Sequence, residues 1–297
     1  PLFRIGLVQM NNERHLLLID VHHIVSDATS VSIMIREFAE LYGTGTLPEL
    51  RIQYKDYSEW QNKFFTTKYA MKQEEYWLNI FSGEIPELTL PTDYPRPAIQ
   101  SFEGDRLVFD ISSEVVQKLK ALAVETDTTL YMVLLAAYNV LLARCTGQED
   151  IIVGTPVAGR THADMGNIIG VFVNTLAMRN FPKKDITFLE FLQSVRKTSL
   201  MAYENQEYQL ENLIEKAGIK RDISRNPLFD TMFVLQNMDF VASEIEGLRF
   251  APYKLSKVSS KLDLSLSALE QDGIIFAFEY CTKLFNKSIP TCNRPGN

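Results

Sequence analysis

Two adjacent histidines, His22 and His23, with Asp27 four positions after the second, are the residues of this chain best suited to acid–base chemistry. An unperturbed imidazole titrates near the working pH, so it can accept or orient a proton. Asp27 invites a reading as the acid of a triad. A buried carboxylate, however, needs a cation or several hydrogen bonds to stay ionised, which favours a structural role. The four histidines, His15, His22, His23 and His162, show no paired spacing such as His-x3-His, and that pattern gives no metal site.

The elements that must position the pair are legible around it. Phe3 to Met10 and His15 to Val21 flank Asn11-Asn12-Glu13 and read as a β-hairpin. Ser30, followed by Val31, Ile33, Met34, Ile35, Phe38 and Leu41, reads as an N-capped amphipathic helix running to Tyr42 and stopped by Gly43. The histidines therefore sit at a strand-to-helix corner. Successive strand residues point to opposite faces, so one histidine is expected to face solvent or a reaction channel and the other to pack inside.

Composition bounds the reading. At 297 residues and 46% hydrophobic, the chain is long enough for two lobes around a large core. A formal charge of −7 with no basic stripe argues against nucleic acid. Three widely spaced cysteines, Cys145, Cys281 and Cys292, without a Cys-x-x-Cys pair fit a reducing, cytoplasmic setting and offer no zinc site. The longest apolar stretch, Leu130 to Ala143, is too short and too interrupted to cross a bilayer. No signal peptide is visible, and the chain, beginning at Pro1, reads as excised from something longer.

Further along, Tyr54 to Ile80 reads as helical, and four prolines between Pro86 and Pro97 mark a linker at about 82–97. That divides the chain into 1–97, carrying the histidine corner, and 98–297. The second part reads as strand Arg106–Ile111, helix Ser113–Glu125, helix Thr129–Arg144 capped by Asp127 or Thr128, and strand Ile151–Val157. Helices Phe188–Tyr203 and Leu210–Ala217 follow, then strands Thr231–Gln236, Leu262–Leu269 and Ile274–Tyr280. The mixed order predicts an α/β fold of mixed α+β layers. Thr129–Arg144 is apolar all round and should be the buried spine.

Four more motifs follow the His-His-x-x-x-Asp corner in order: Tyr54-Lys55-Asp56-Tyr57-Ser58-Glu59-Trp60, Ile169 to Arg179, Asn205 to Glu211, and Arg221-Asp222-Ile223-Ser224-Arg225-Asn226-Pro227-Leu228. Together they resemble the condensation domains of nonribosomal peptide synthetases, over nearly the whole chain. The resemblance implies two chloramphenicol acetyltransferase-like lobes set in a V with a tunnel between them. Upstream donor and downstream acceptor carrier proteins would dock at its mouths, with an adenylation domain as neighbour. Each carrier presents an acyl group on a phosphopantetheine arm, and the domain itself binds no cofactor. The reaction implied is attack of the acceptor amine on the donor thioester, forming an amide.

On this resemblance His23 is the tunnel histidine, as general base or positioning group. His22 is structural, packing or hydrogen bonding behind the strand. Asp27 is expected to pair bidentately with Arg160, in Gly154-Thr155-Pro156-Val157-Ala158-Gly159-Arg160. Gly170 would allow a close backbone approach, or is an ordinary turn glycine. Asn174 would offer an amide to a carbonyl or to pantetheine, or else bridges a loop. Tyr54, Asp56 and Trp60 are expected to support helix packing, and Arg221 and Arg225 around Asp222 to form a scaffold salt bridge or else a carrier-protein contact, the scaffold role being favoured. Two departures stand out. Ala28 replaces the family's glycine after the aspartate, which could crowd a thioester arm. The family's first two motifs and its closing helix, beyond Cys292 to Asn297, lie outside the chain. The motif filling Val25-Ser26 resembles the subtype that takes an L-configured donor. The alternatives are an epimerisation domain of the same superfamily and a non-catalytic carrier-docking platform.

Overall fold

A computed structural model describes residues 1–43, 45–236, 244–245, 248–251, 253 and 258–286. The chain divides into two compact units. Unit 1 holds Pro1–Tyr69, Ala158–Val173 and the described residues between Met238 and Leu255. Unit 2 holds Ala70–Val157, Asn174–Asn237 and the described residues from Ser256 onward. Spatial packing rather than chain order draws this division, whereas the sequence suggested contiguous parts meeting at a proline-rich linker. The C-terminal run Cys292 to Asn297 lies outside the described residues.

In unit 1, strands β1 (Phe3–Gln9) and β2 (His15–Val21) pair antiparallel from Phe3↔Val21 to Gln9↔His15. Asn11 closes their loop, its Oδ1 accepting the N–H groups of Glu13 and Arg14 at 3.0 and 2.8 Å. A single 3-10 turn, His23–Val25, leads into α1 (Ala28–Gly43). Helix α2 (Tyr54–Phe64) begins with a Gln53/Asp56 capping box. Its Tyr57 packs with Met165, Ile168 and Phe172 as the small core of the unit.

The segment Tyr54 to Ile80 is two helices rather than one, α2 and α3 (Lys68–Ile80). They break where the hydroxyls of Thr66 and Thr67 bond the carbonyls of Lys63 and Phe64, each at 2.7 Å. Such local bonds compete with the helical ladder.

Unit 2 is built on a seven-stranded mixed sheet. Its strands are β3 (Glu103–Ile111), β4 (Ile151–Val157), β5 (Asn174–Asn180), β6 (Thr231–Gln236), β9 (Val258–Ser259), β10 (Leu264–Glu270) and β11 (Ile274–Cys281). The order is β5-β4-β6-β10-β11-β3-β9. Pairings β4·β6 and β6·β10 are parallel and the rest antiparallel. The short strands β7 (Glu244–Ile245) and β8 (Leu248–Arg249) pair apart from this sheet.

Helices α4 (Ser113–Glu125), α5 (Leu130–Thr146), α6 (Phe188–Glu204) and α7 (Leu210–Lys216) complete unit 2. As expected, α5 is the buried spine, with Leu135, Ala136 and Tyr138 at 0–2% exposure. Thr129, not Asp127 or Thr128, caps it by accepting the Met132 N–H, and Gly147 ends it at φ 76°. Trp77 of α3 joins the same core and donates its indole N–H to the Asn205 carbonyl at 2.8 Å. The proline-rich segment has no helix or strand, yet it packs on unit 2. Leu88 is buried in the core, and Thr89 donates its N–H to Gln148 Oε1 at 2.8 Å. Among the described residues, no single helix is long and apolar enough to cross a membrane.

Candidate active site

The histidine corner is built from unit 1 alone. Strand β2 ends at Val21, and the His22 N–H donates to the Leu2 carbonyl at 2.8 Å. His22 is the N-cap of the 3-10 turn, its Nδ1 accepting the Ile24 N–H at 3.1 Å. That bond requires an unprotonated Nδ1, so the neutral ring carries its hydrogen on Nε2. His23 opens the turn and is exposed. Neither of its ring nitrogens has a hydrogen-bond partner among the described residues. His22 is also exposed, contrary to the expectation that one histidine packs inside. Strand alternation ends with β2 at Val21. The pair has left the strand, so its directions follow the turn.

Asp27 is 5% exposed and begins α1. Its Oδ1 accepts the N–H of Ser30 at 2.8 Å, the geometry of an N-cap. Its carbonyl accepts the Val31 N–H at 3.1 Å. Ser30, expected as the cap, is three residues inside the helix. Asp27 Oδ2 accepts the Phe172 N–H at 3.1 Å. Arg160 approaches with Nη2, 3.1 Å from Oδ1 and 3.4 Å from Oδ2. The ion pair is therefore present, but through one nitrogen, because Nη1 is occupied by the carbonyls of Met165 and Ile168, both at 2.7 Å. Burial pushes the Asp27 carboxyl upward, and the N–H groups of Ser30 and Phe172, the Ser30 hydroxyl and Arg160 more than reverse it. The carboxyl is held below the ordinary aspartate value and stays ionised. No histidine is among its partners, so Asp27 is a capping and anchoring group, not the orienting acid of a triad.

The segment 158–173 supplies the other wall of this anchor. Gly159 has φ 64°, and a Cβ there would sit 1.8 Å from the Phe172 carbonyl oxygen. The Phe172 ring lies against the Arg160 guanidinium at 4.1 Å. At Gly170 the close approach is made by the Tyr54 ring, which a Cβ would meet at 2.0 Å. Tyr54 donates its hydroxyl to the Val171 carbonyl at 2.9 Å and sets its ring edge-on to Phe172. Trp60 stacks on Tyr57 and Phe64, and Asp56 caps α2, so these residues serve packing and capping with Tyr54.

Ala28 is the first residue of α1 and is exposed. Among the described residues only Asp127 is a non-glycine with positive φ, so the backbone at position 28 does not require glycine. Asn174 belongs to unit 2, as the first residue of β5. Its Nδ2 donates to the carbonyls of Gln206 and Tyr208, each at 2.8 Å. Its Oδ1 accepts the N–H groups of Thr175 and Leu210 at 2.8 and 3.4 Å. With both donors spent on the α6–α7 loop, its amide bridges a loop and has no N–H left for a substrate. In the last motif Arg225 pairs with Glu87 at 2.6 Å and lies 3.7 Å from Asp230, while Asp222 accepts the Ser224 N–H. These are scaffold contacts.

In the sequence Ser30 reads only as a helix cap, and its bonds to Arg160 and Gly170, like the Phe172 N–H on Asp27, are not readable there. The spacing Asp27-Ala28-Thr29-Ser30 at the head of an amphipathic run was the available signal for an aspartate cap. No group of three or more His, Cys, Asp or Glu among the described residues could hold a metal ion.

A family model described as Condensation domain matches residues 1–291. The chain belongs to the condensation-domain family. This condensation domain is 54% identical over 288 residues to bacitracin synthase 3 of Bacillus licheniformis, covering 97% of the chain and 4% of that protein. It is 55% identical over 289 residues to gramicidin S synthase 2 of Brevibacillus brevis, covering 97% and 6%. It therefore spans a small fraction of the curated relatives it matches. Among solved structures, the X-domain from teicoplanin biosynthesis superposes with TM-score 0.87 at 25% identity, over 96% of this chain and 68% of that one. The condensation domain from the Monacolin K polyketide synthase superposes with TM-score 0.85 at 20% identity, over 98% and 69%. The family and the mixed α/β, chloramphenicol acetyltransferase-like fold are those read from the five motifs.

Proposed function

We propose that this condensation domain forms an amide bond between two carrier-bound acyl groups of a nonribosomal peptide synthetase. The amine of an aminoacyl group on the downstream carrier attacks the thioester carbonyl of the acyl or peptidyl group on the upstream carrier. A C–N bond forms, the C–S bond breaks, and the proton lost from the amine balances the thiolate that leaves. The observation that carries this is His23, an exposed imidazole with neither nitrogen hydrogen-bonded among the described residues, on a turn whose neighbours His22 and Asp27 are committed to holding it. A neutral imidazole there can take or orient the amine proton as the C–N bond forms.

Both arms are phosphopantetheine thioesters carried in by their proteins, so they are substrates. An adenylation domain would be the neighbour that loads the acceptor carrier. An L-configured donor is supported by the Val25-Ser26 filling of the motif. The relatives at 50–55% identity, named as synthases of bacitracin, gramicidin S and surfactin, support an antibiotic or lipopeptide product.

The test uses the full-length protein that carries this sequence, with donor- and acceptor-loaded carriers and intact-mass detection of the acceptor. The expected result is a dipeptidyl acceptor that is lost in His23→Ala. Inversion of the donor α-carbon without amide formation would replace this reading with epimerisation. No product from folded protein would leave a docking platform.

A further inference from the structure

The His23 imidazole makes no bond of its own among the described residues, so its place is set by the backbone of the turn. That backbone is tied at one end to β2, through the His22 cap and the Leu2 carbonyl. At the other end it runs through buried Ser26 into Asp27, the Ser26 N–H reaching the His23 carbonyl at 3.4 Å. Whatever fixes Asp27 therefore fixes the outgoing end of the turn.

Ser30 is completely buried, at 0% exposure, and its Oγ lies between the Asp27 carboxylate, Arg160 and the Gly170 backbone. Two acceptors lie at 2.8 Å, Asp27 Oδ1 and the Gly170 carbonyl. Two donors lie at 3.0 Å, the Gly170 N–H and Arg160 Nη2. A hydroxyl has one hydrogen and two lone pairs, so it can receive both N–H donors while giving its hydrogen to one of the two acceptors. Asp27 already accepts from the Ser30 N–H, the Phe172 N–H and Arg160. The carboxylate alone would hold the start of α1 to Arg160 and to the Phe172 N–H, and the Ser30 hydroxyl adds the bonds to the backbone at Gly170.

We propose that the Ser30 hydroxyl is a positioning residue for the reaction. It joins the first turn of α1 to the backbone of Gly170 and to Arg160, and so sets the outgoing end of the turn that carries His23. The inference rests on the reading of His23 as the reacting histidine. Without the hydroxyl, the Gly170 N–H and one Arg160 N–H lose a buried acceptor. The first turn of α1 then keeps its aspartate cap and the Asp27 bonds to Arg160 and Phe172, but loses its tie to the Gly170 backbone and can tilt about the bonds that remain. A shift on the order of 1 Å at a reacting group costs roughly 100-fold in rate.

Threonine and valine have the same shape, so Ser30→Thr and Ser30→Val load the same extra volume into the site and differ in the hydroxyl. Both are made in the full-length protein and checked for equal thermal melting before use. The first readout is the single-turnover rate at saturating acceptor, with the acceptor KM measured separately. The second is the rate at which His23 alone is modified by diethylpyrocarbonate, followed by peptide mapping, which does not depend on any activity. The expectation is that Ser30→Thr stays within a few-fold of the unaltered protein. Ser30→Val loses roughly 10–100-fold in rate with the acceptor KM unchanged, and its His23 modification rate changes. Equal behaviour of the two variants in both readouts would overturn the proposal. If the unaltered protein forms no amide, the condensation reading fails by itself, and the modification rates still decide whether the hydroxyl positions His23.

Discussion

Arg160 places Nη2 3.1 Å from Oδ1 of Asp27, joining two residues that lie 133 positions apart and are both almost fully buried. Taking two charges out of water is costly, and here the cost is met by hydrogen bonds to nearly every polar atom involved. Removing one partner leaves the other charge buried and unpaired. Asp27→Ala also removes the N-cap of α1. The expected loss is about 3–5 kcal/mol of stability, seen in chemical denaturation together with loss of product.

The same carboxylate makes stability depend on acid. Its folded-state pKa is held below the ordinary 3.8, so its contribution is fully present above that value and is lost as pH falls through the lower folded pKa. In melts run from pH 6 downward, the unaltered protein should lose more stability below pH 4 than Asp27→Asn does. Parallel curves for the two would remove Asp27 from the acid response.

Asp230 has the opposite sign. Burial first, then the neighbouring charge of Asp263, raise its carboxyl to about 6, with Arg225 and Arg96 pulling the other way. Its Oδ1 is buried without a hydrogen-bond partner among the described residues. A carboxyl whose folded pKa exceeds its unfolded value opposes folding increasingly as pH rises from about 4 to 6, by up to about 3 kcal/mol above that window. Asp230→Asn should therefore raise the melting temperature at pH 7.5, and the gain should shrink toward pH 4.5. A variant less stable at pH 7.5 would show that the Arg225 contact outweighs the burial.

His22 and His23 should separate cleanly. His22→Asn can keep the cap on the Ile24 N–H, because an asparagine oxygen accepts as Nδ1 does, whereas His22→Ala gives up about 1 kcal/mol. His23→Ala should leave melting unchanged and remove amide formation. A stability loss in His23→Ala comparable to that of His22→Ala would argue for a structural His23.

Ala28→Gly restores the residue common in the family, yet position 28 is exposed helix start with ordinary backbone. The expected outcome is a slight destabilisation of α1, below about 1 kcal/mol, with the rate of product formation unchanged. A marked rise in rate would show that the methyl group crowds a substrate. Gly159→Ala, by contrast, meets both a positive φ and the Phe172 carbonyl, and should fail to fold.

Much of this protein could be read from the order of its residues. The hairpin, the α5 spine and strands such as Ile151–Val157 follow from local periodicity and turn chemistry, which act over a few neighbouring residues. The five ordered motifs sufficed for the family, and Asp27 could be matched to Arg160. What the sequence could not decide was set by contacts made across long separations. Strand β5 went unread because Asn174 to Asn180 is defined by its register with β4, from Ile151↔Asn180 to Val157↔Asn174. The two histidines turn out of the strand because the turn, capped by His22 itself, begins one residue earlier than strand alternation assumes. Asn174 became a loop bridge when α7 and the residues before it closed over its amide. Ser30 became the joint of the corner only once Gly170 and Arg160 were folded against it. A side chain's partners are fixed by where distant backbone arrives, and residue type specifies only which bonds it can make when that backbone is there.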